Sequence, residues 1–379
     1  MGIEDWRSEI NALDNELLRL LNHRAQLALK VGESKKGSGL AVCDHTRERE
    51  VTERMCSINT GPLDDPAVVE LFRAIIHESR RIQSRDLDRE KDKPYVPRLV
   101  SQTKPRVAFQ GEHGAFSEEA AIKLLGQEIA LVPRSTFESL FGAISDQAAD
   151  YILAPIENSL AGFVHASFDQ LLDSNLKVSG EVIIQISHYL VGCTGASFDS
   201  IAAVQSHPVA LDQCRRFLET NPQIRRVVAE DTAGSVAEVI RAADPTRAAI
   251  AGMRAVERYG GVILREHLED STENYTRFFL LSQSTELLAD ANKMSLTIEL
   301  PHQPGALHDA LEPFAQLGID LLKIEGRPVK GRPWEYCFYL ELRGSANDSE
   351  VTAAIRELHW RRVETRILGN YRSAPVPSS

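Results

Sequence analysis

The 379-residue sequence predicts a multidomain chain in which an all-α helical domain precedes an α/β domain of two lobes and an α+β domain of βαββαβ order. Three changes of hydrophobic period predict it. Apolar residues step by three and four at the N-terminus, short apolar runs alternate with helical patterns in the middle, and strand and helix patterns interleave near the end. At about 100 to 200 residues per domain, a chain of this length holds two to four such units. The boundaries read as a helical domain over 1–90, a connector over 91–105, the two-lobed domain over 106–285 and a last domain over 292–372.

In the first region Trp6, Ile10, Leu13, Leu17 and Leu20 form a packing seam that Leu27 and Val31 continue. A second helix is expected from Asp44 to Met55. A third starts at Pro66, which suits a first turn, and carries Val69, Phe72, Ile75, Ile76 and Ile82. The charged stretch holding Pro94, Pro97 and Pro105 has the composition of an exposed connector. Beyond it, strands are expected at Val107–Gln110, Ala130–Val132 and Tyr151–Ile156, with helices after Ser117 and Thr136. The alternation resumes at Ala202–Gln205, Val227–Ala229 and Ala248–Ala251, so two similar lobes should flank a cleft, a common place for a ligand. In the last region strands are expected at Ser295–Leu300, around Ile319–Ile324 and at Glu335–Leu342, with helices at Ala306–Gln316 and Glu350–Leu358 before a closing strand.

Composition narrows the function. The net charge is −11 and the basic residues are dispersed, which argues against nucleic-acid or membrane surfaces and for small-molecule partners. Five cysteines without a close pair disfavour a disulfide framework and a zinc site, so no metal is expected. Glu4, Asp5 and Trp6 stand where a secretory leader needs basic residues, and no 18-residue apolar stretch occurs, so the cytoplasm is the expected compartment. Gly111 and Gly114 give G-x-x-G after a strand rather than G-x-G-x-x-G, so no nicotinamide cofactor is expected, nor any other.

Polar residues interrupt the helical seams. Arg24 stands where the seam demands an apolar residue, and a buried guanidinium needs an anionic partner. Lys35 returns to roughly the same face eleven residues later, with Ala28, Val31 and Gly32 leaving room between them. Ser79 and Gln83 extend the apolar stripe of the third helix, and Asp44, Arg47 and Glu48 share one face of the second. Singly, Arg24 could be a snorkelling side chain and Asp44 an N-cap. Jointly they are harder to dismiss. With Arg7 they follow the order and spacing of the all-helical chorismate mutases, which the chain resembles from Trp6 to Gln83. The resemblance implies that Arg7, Arg24 and Arg47 hold the two carboxylates of chorismate. It implies that Lys35 and Gln83 donate to the ether oxygen, where negative charge develops, and that Glu48, Asp44 and Ser79 bind the substrate or orient neighbours. Arg7 lies 17 residues before Arg24, about 25 Å along one helix, so it is expected to enter the site from a second chain, in a homodimer or higher homo-oligomer.

In the middle region Gly111, Gly114 and Ser117 suit a carboxylate at a helix N-terminus, although such a loop is more often an ordinary turn. Pro155, Ile156, Glu157, Asn158 and Ser159 close an apolar strand. Ser206, His207 and Pro208 close another, with Gln213 in the helix that follows, and Thr276, Arg277 and Phe278 lead into a third. Read alone, these are capping turns and β-formers. Together, "PIENS", "SHP", the pair Gln213 and Cys214, and "TRF" resemble prephenate dehydratase over roughly Arg106 to Ser282. The resemblance implies that Thr276 assists the departing ring hydroxyl of prephenate. It places Ser117, Glu157, Asn158, Ser159, Ser206, His207, Gln213, Arg277 and Phe278 around the substrate. Ala233, Gly234 and Ser235 after Asp231 and Thr232 depart from the family's usual alanine repeat.

From about Lys293 to Tyr371 the sequence resembles the ACT regulatory fold. Gly305, Ala306 and Leu307 open its first helix, and Glu325, Gly326, Arg327 and Pro328 are expected to follow its second strand, matching the two phenylalanine-binding motifs of dehydratase regulatory domains, with Gly326 where serine is usual. L-phenylalanine is the effector this implies, acting as a feedback inhibitor. A noncatalytic amino-acid sensor with a helical dimerisation arm would explain the lobes and the last domain. It leaves the inward Arg24, Lys35, Ser79 and Gln83 without a purpose.

Overall fold

A computed structural model describes residues 2–36, 45–69, 71–72, 75–76, 79, 104–283, 288–329, 331–332 and 334–375, with side chains except at 32–36 and 45–49. The chain divides into two compact units, Met1–Lys93 and Pro94–Ser379.

The first unit is helical. Helix α1 runs unbroken over Ile3–Lys36, with Glu4 and Asp5 in its first turn complementing the helix dipole. Helix α2 spans His45–Ile58. Helical backbone resumes at 65 and recurs at the described positions up to 79 (α3), capped by Asp64, whose Oδ1 accepts from the Ala67 amide at 2.9 Å. Val68 and Ile76 of α3 are buried. The seam of α1 is not: Trp6, Ile10, Leu13, Leu17, Leu20, Leu27 and Val31 are each about half exposed, Leu13 as much as 65%.

The second unit begins as a doubly wound lobe. Strand β1 (Arg106–Gln110), helix α4 (Phe116–Leu125), β2 (Ala130–Arg134), α5 (Phe137–Ser145) and β3 (Tyr151–Asn158) follow one another, and β1 pairs in parallel with both β2 and β3. A short β4 (Gly162–Phe163) and α6 (His165–Asp173) lead to β5 (Lys177–Gln185). The second lobe comprises β6 (Tyr189–Gly192), β7 (Ala203–Ser206), α7 (Pro208–Gln213), α8 (Arg215–Thr220), β8 (Arg225–Val228), α9 (Thr232–Ala242), β9 (Arg247–Ala251), α10 (Met253–Tyr259) and β10 (Val262–Arg265). Its sheet order is β10-β6-β9-β7-β8. The chain then returns to the first lobe as β11 (Tyr275–Ser282), antiparallel between β3 and β5.

The last region is βαββαβ: β12 (Lys293–Leu300), α11 (Ala306–Gln316), β13 (Leu321–Pro328), β14 (Tyr336–Arg343), α12 (Ser349–Trp360) and β15 (Glu364–Tyr371), in sheet order β13-β14-β12-β15. Its closing strand joins the first lobe, with Gly369 in parallel register with Val178, so a single ten-stranded sheet runs through both. A Cβ at Gly369 would strike the Val178 carbonyl, so the junction requires glycine. Tyr339, Leu368 and Tyr371 from the last region share one apolar core with Ile152, Phe168, Val178 and Phe279.

Two features differ from the sequence expectation. Strands β4, β5, β6 and β10 were not foreseen; in β5, Gly180 and Glu181 interrupt the apolar run. Strand β13 continues through Pro328, so Glu325, Arg327 and Pro328 lie within the strand rather than after it. Proline is tolerated there because β13 is the sheet edge. Among the described residues no helix is long and apolar enough to cross a membrane.

Candidate active sites and effector site

In the helical unit, α1 presents Arg24 to α3. Its Nη1 donates to the Ser79 hydroxyl and, at 3.4 Å, to the Ile75 carbonyl, while Ser79 Oγ donates to the same carbonyl at 2.8 Å. The guanidinium thus points inward and bonds neutral groups. Arg7 pairs with Glu4 at 2.7 Å in solvent, and because α1 is continuous the two arginines stand about 25 Å apart in one chain. Lys35, Arg47 and Glu48 lie on helical backbone, but their side chains fall outside the described residues, as do Asp44 and Gln83 entirely.

In the second unit, β3 and β11 bring Asn158 opposite Thr276. Asn158 is fixed at both ends. Its Oδ1 accepts from the Leu160 and Ala161 amides at 3.0 and 2.8 Å, and its Nδ2 donates to Asn274 Oδ1 at 2.7 Å and to Thr276 Oγ1 at 3.0 Å. The threonine oxygen is therefore an acceptor toward Asn158, and its own proton is left to donate elsewhere. Asn274, fully buried, was not foreseen; its signal was a polar residue two positions ahead of Thr276 in "ENYTRF".

The other expected substrate contacts distribute differently. Ser159 staples the two strand ends, accepting from the Tyr275 amide at 2.9 Å and donating to the Glu273 carbonyl at 2.7 Å. Ser206, fully buried, donates to the Ile250 carbonyl at 2.6 Å within the second lobe. His207 caps α7, with Nδ1 accepting from the Val209 amide at 3.3 Å, and burial lowers its pKa against the pull of Asp231, which suits a neutral acceptor. Gln213 Oε1 bonds His188 Nε2 at 2.9 Å; burial likewise depresses the pKa of His188, which lies where the chain crosses between lobes. Ser117 is buried in the first turn of α4, where the carboxylate on the loop belongs to the chain itself. Glu118 accepts from the Gly114 amide at 3.3 Å, meets His113 at 2.7 Å and binds Arg254 of the second lobe at 3.1 Å. Phe278 packs in the core of the first lobe with Val182, Ile184 and Leu280.

Arg277 is held among carboxylates. Its guanidinium is nearly buried and bonds three carboxylates: Glu341 at 2.6 and 2.8 Å, Glu157 at 3.0 Å and Glu181 at 3.1 Å. Lys293 bridges Glu181 at 3.0 Å and Glu341 at 2.7 Å, and Lys323 pairs with Glu157. Burial alone would depress the Arg277 pKa, but the Glu341 charge overrides it and raises it. Burial likewise opposes ionisation of Glu341, yet Arg277 and Lys293 hold its carboxyl at about 2. Sequence reasoning missed Glu181, Lys293 and Glu341, although a lone carboxylate within "GEVII" and "YLELR" is the same kind of signal that exposed Arg24.

At the expected effector motifs, Gly305 caps α11 with φ +84°, a left-handed conformation that favours glycine; Ala306 is the first helical residue, and Leu307 packs against the core of the last region. Glu325 and Arg327 alternate along the half-buried face of β13, and Arg327 reaches Asp169 of α6 at 2.6 Å and His165 at 3.0 Å. Arg327 and Pro328 line a cavity of about 590 Å3, together with Asp169, Glu299 and Arg366.

Known protein families match the chain in three stretches. Residues 6–84 match the family model of chorismate mutase type II, 107–286 that of prephenate dehydratase and 294–359 that of the ACT domain. A bifunctional chorismate mutase/prephenate dehydratase of Aquifex aeolicus is 33% identical over 377 residues, covering 98% of either chain. The structure of a prephenate dehydratase from Arthrobacter aurescens in complex with L-Phe is similar at a TM-score of 0.65 and 30% identity, over 70% of this chain and 90% of that one. GqqA, described as a novel type of quorum quenching acylase, is similar at a TM-score of 0.64 and 30% identity, over 71% of this chain and 98% of its own.

Proposed function

Since the chain belongs to the family of bifunctional chorismate mutase/prephenate dehydratases and is an enzyme with both activities, we propose how its residues divide the work. The helical domain, residues 1–90, folds chorismate into a compact chair. Arg24 and Arg47 grip its carboxylates, Ser79 orients Arg24, and Lys35 and Gln83 stabilise the ether oxygen as the bond breaks, with Glu48 and Asp44 on the substrate hydroxyl or its neighbours. No covalent step is required, so positioning and electrostatics supply the acceleration. Arg7 enters from a second copy. The half-exposed seam of α1 supports this, because seven large apolar residues in one stripe exceed what a solvated helix carries.

The domain over 106–285 carries the dehydratase. The carrying observation is the Asn158–Thr276 pair, which leaves the Thr276 proton free to face a leaving group. As the ring carboxylate departs as carbon dioxide, the electrons of its bond to the ring aromatise the ring and expel the hydroxyl, which takes a proton assisted by Thr276 and leaves as water. Ser117, Glu157, Ser159, Ser206, His207 and Gln213 serve by holding the strand ends and lobes that frame the cleft. The domain over 292–372 binds L-phenylalanine through Gly305, Ala306, Leu307, Glu325, Arg327 and Pro328 and inhibits the dehydratase, a coupling of about 1 to 3 kcal/mol. The printed description of the Arthrobacter aurescens complex supports that ligand. The proposed setting is cytoplasmic phenylalanine biosynthesis. Purified protein given chorismate should consume it and form phenylpyruvate; chorismate consumption without phenylpyruvate would remove the second activity, and no consumption would remove the first.

A further inference from the structure

The rungs on either side of the β3–β11 ladder end face opposite ways. Asn158 pairs with Thr276 on one, and Glu157 pairs with Arg277 on the next, so adjacent side chains address opposite faces of the sheet. The second rung faces the C-terminal domain. There Arg277, Lys293 and Lys323 meet Glu157, Glu181 and Glu341, three cations against three carboxylates, with Tyr339 also donating to Glu341 at 2.6 Å.

We propose that Lys323 and Glu341 of the C-terminal domain are positioning residues for the dehydratase reaction, acting through Glu157 and Arg277 on the adjoining Asn158–Thr276 rung. The inference rests on the reading of Thr276 given above. Three observations carry it. Burying charges costs desolvation that an apolar core of the same volume would avoid, so what the network adds over such a core is one fixed arrangement of its side chains. The ladder is irregular on one side of this rung: the register between β3 and β11 shifts between Arg277 and Phe278, while β11 pairs regularly with β5, so on the β3 side the tethers of Glu157 and Asn158 add to what the backbone holds. Finally, Lys323 shares a face of β13 with Glu325 and Arg327, about 7 Å and 13 Å further along the strand. Its ammonium sits 4.2 Å over the Phe163 ring, beside Glu157, which pairs with Phe163 across β3 and β4. A ligand that shifts β13 at Glu325–Pro328 therefore pulls on Glu157, and through it on the residue next to it, Asn158. This gives the regulatory strand a direct mechanical connection to the reacting group.

The test uses the full chain with Lys323→Met and the milder Lys323→Gln, because Lys323 lies at the half-buried rim of the network and Glu157 keeps Arg277 as a partner. Dehydratase kcat should fall about ten- to hundredfold with KM for prephenate within about twofold, while the mutase rate is unchanged. Lys323→Arg should recover most of the loss. The double variant Lys323→Met/Glu157→Gln should be no slower than Glu157→Gln alone, because the two act in series. Thr276→Ala serves as the control. If it stays active, the reading of Thr276 fails; if it is inactive while both Lys323 variants turn over like wild type, or lose only KM, or add fully to Glu157→Gln, the positioning role alone is overturned.

Discussion

Replacing Leu13 by alanine probes the helical unit where its chemistry and its assembly meet. Leu13 is 65% exposed on α1, so a single folded chain loses little when it is truncated, and alanine is the better helix former. In the proposed dimer the same side chain is covered. A buried Leu→Ala change costs roughly 3 kcal/mol, and the share still to be covered brings this to about 2 kcal/mol per chain. Twofold symmetry doubles it to about 4 kcal/mol, close to a thousandfold in Kd. Sedimentation equilibrium across a dilution series should show the variant dissociating at concentrations where the wild type remains dimeric. Its mutase turnover should fall along the same curve, because Arg7 leaves the site with the partner. An unchanged dissociation constant, or a monomer with full mutase turnover, would refute both the interlocked assembly and the trans position of Arg7.

Asn158→Asp keeps shape but replaces the amide donor with an acceptor, which would capture the Thr276 proton; dehydratase kcat should drop about a hundredfold in a steady-state phenylpyruvate assay, with mutase turnover retained. Glu341 carries a pH signature. Its carboxyl falls from an ordinary 4.5 to about 2 on folding, so it stabilises the second unit fully above pH 4.5 and loses that contribution as pH drops toward 2. The amount is about 3 kcal/mol. Thermal unfolding between pH 6 and pH 3 should therefore show a steeper loss in wild type than in Glu341→Gln, and equal slopes would contradict the buried pairing. L-phenylalanine titrated against prephenate turnover should inhibit, and Arg327→Ala should raise the concentration required; a flat response at millimolar ligand discards the effector role.

Much of the fold was legible because the spacing of apolar residues carries the period of each element. The four-and-three steps from Trp6 to Leu20 marked α1, and β1, β3, β7 and β9 announced themselves as short apolar runs. Strand β5 did not, since Glu181 sits inside it for the sake of Arg277 and Lys293, partners that lie 96 and 112 positions away in sequence. The same principle divides the candidate sites. Arg24 and Ser79 stood out by type and spacing, whereas Asn158 and Thr276 came from the resemblance of their motifs; in the structure Arg24 meets Ser79 and Asn158 meets Thr276. Phe278 and Arg277 stood in the same motif as Thr276, yet the alternation of a strand sends Arg277 toward the regulatory region, and the helices over the lobe bury Phe278. Motif adjacency does not reveal which face of a sheet a residue addresses when the covering element arrives from far along the chain.

The most direct measurement follows both reactions in one cuvette of Thr276→Ala enzyme supplied with chorismate. Chorismate should disappear at the wild-type rate, prephenate should accumulate in equal amount, and phenylpyruvate should appear only after acid treatment converts the trapped prephenate. Phenylpyruvate forming at the wild-type rate without acid would contradict the assignment of the second reaction to the Asn158–Thr276 rung.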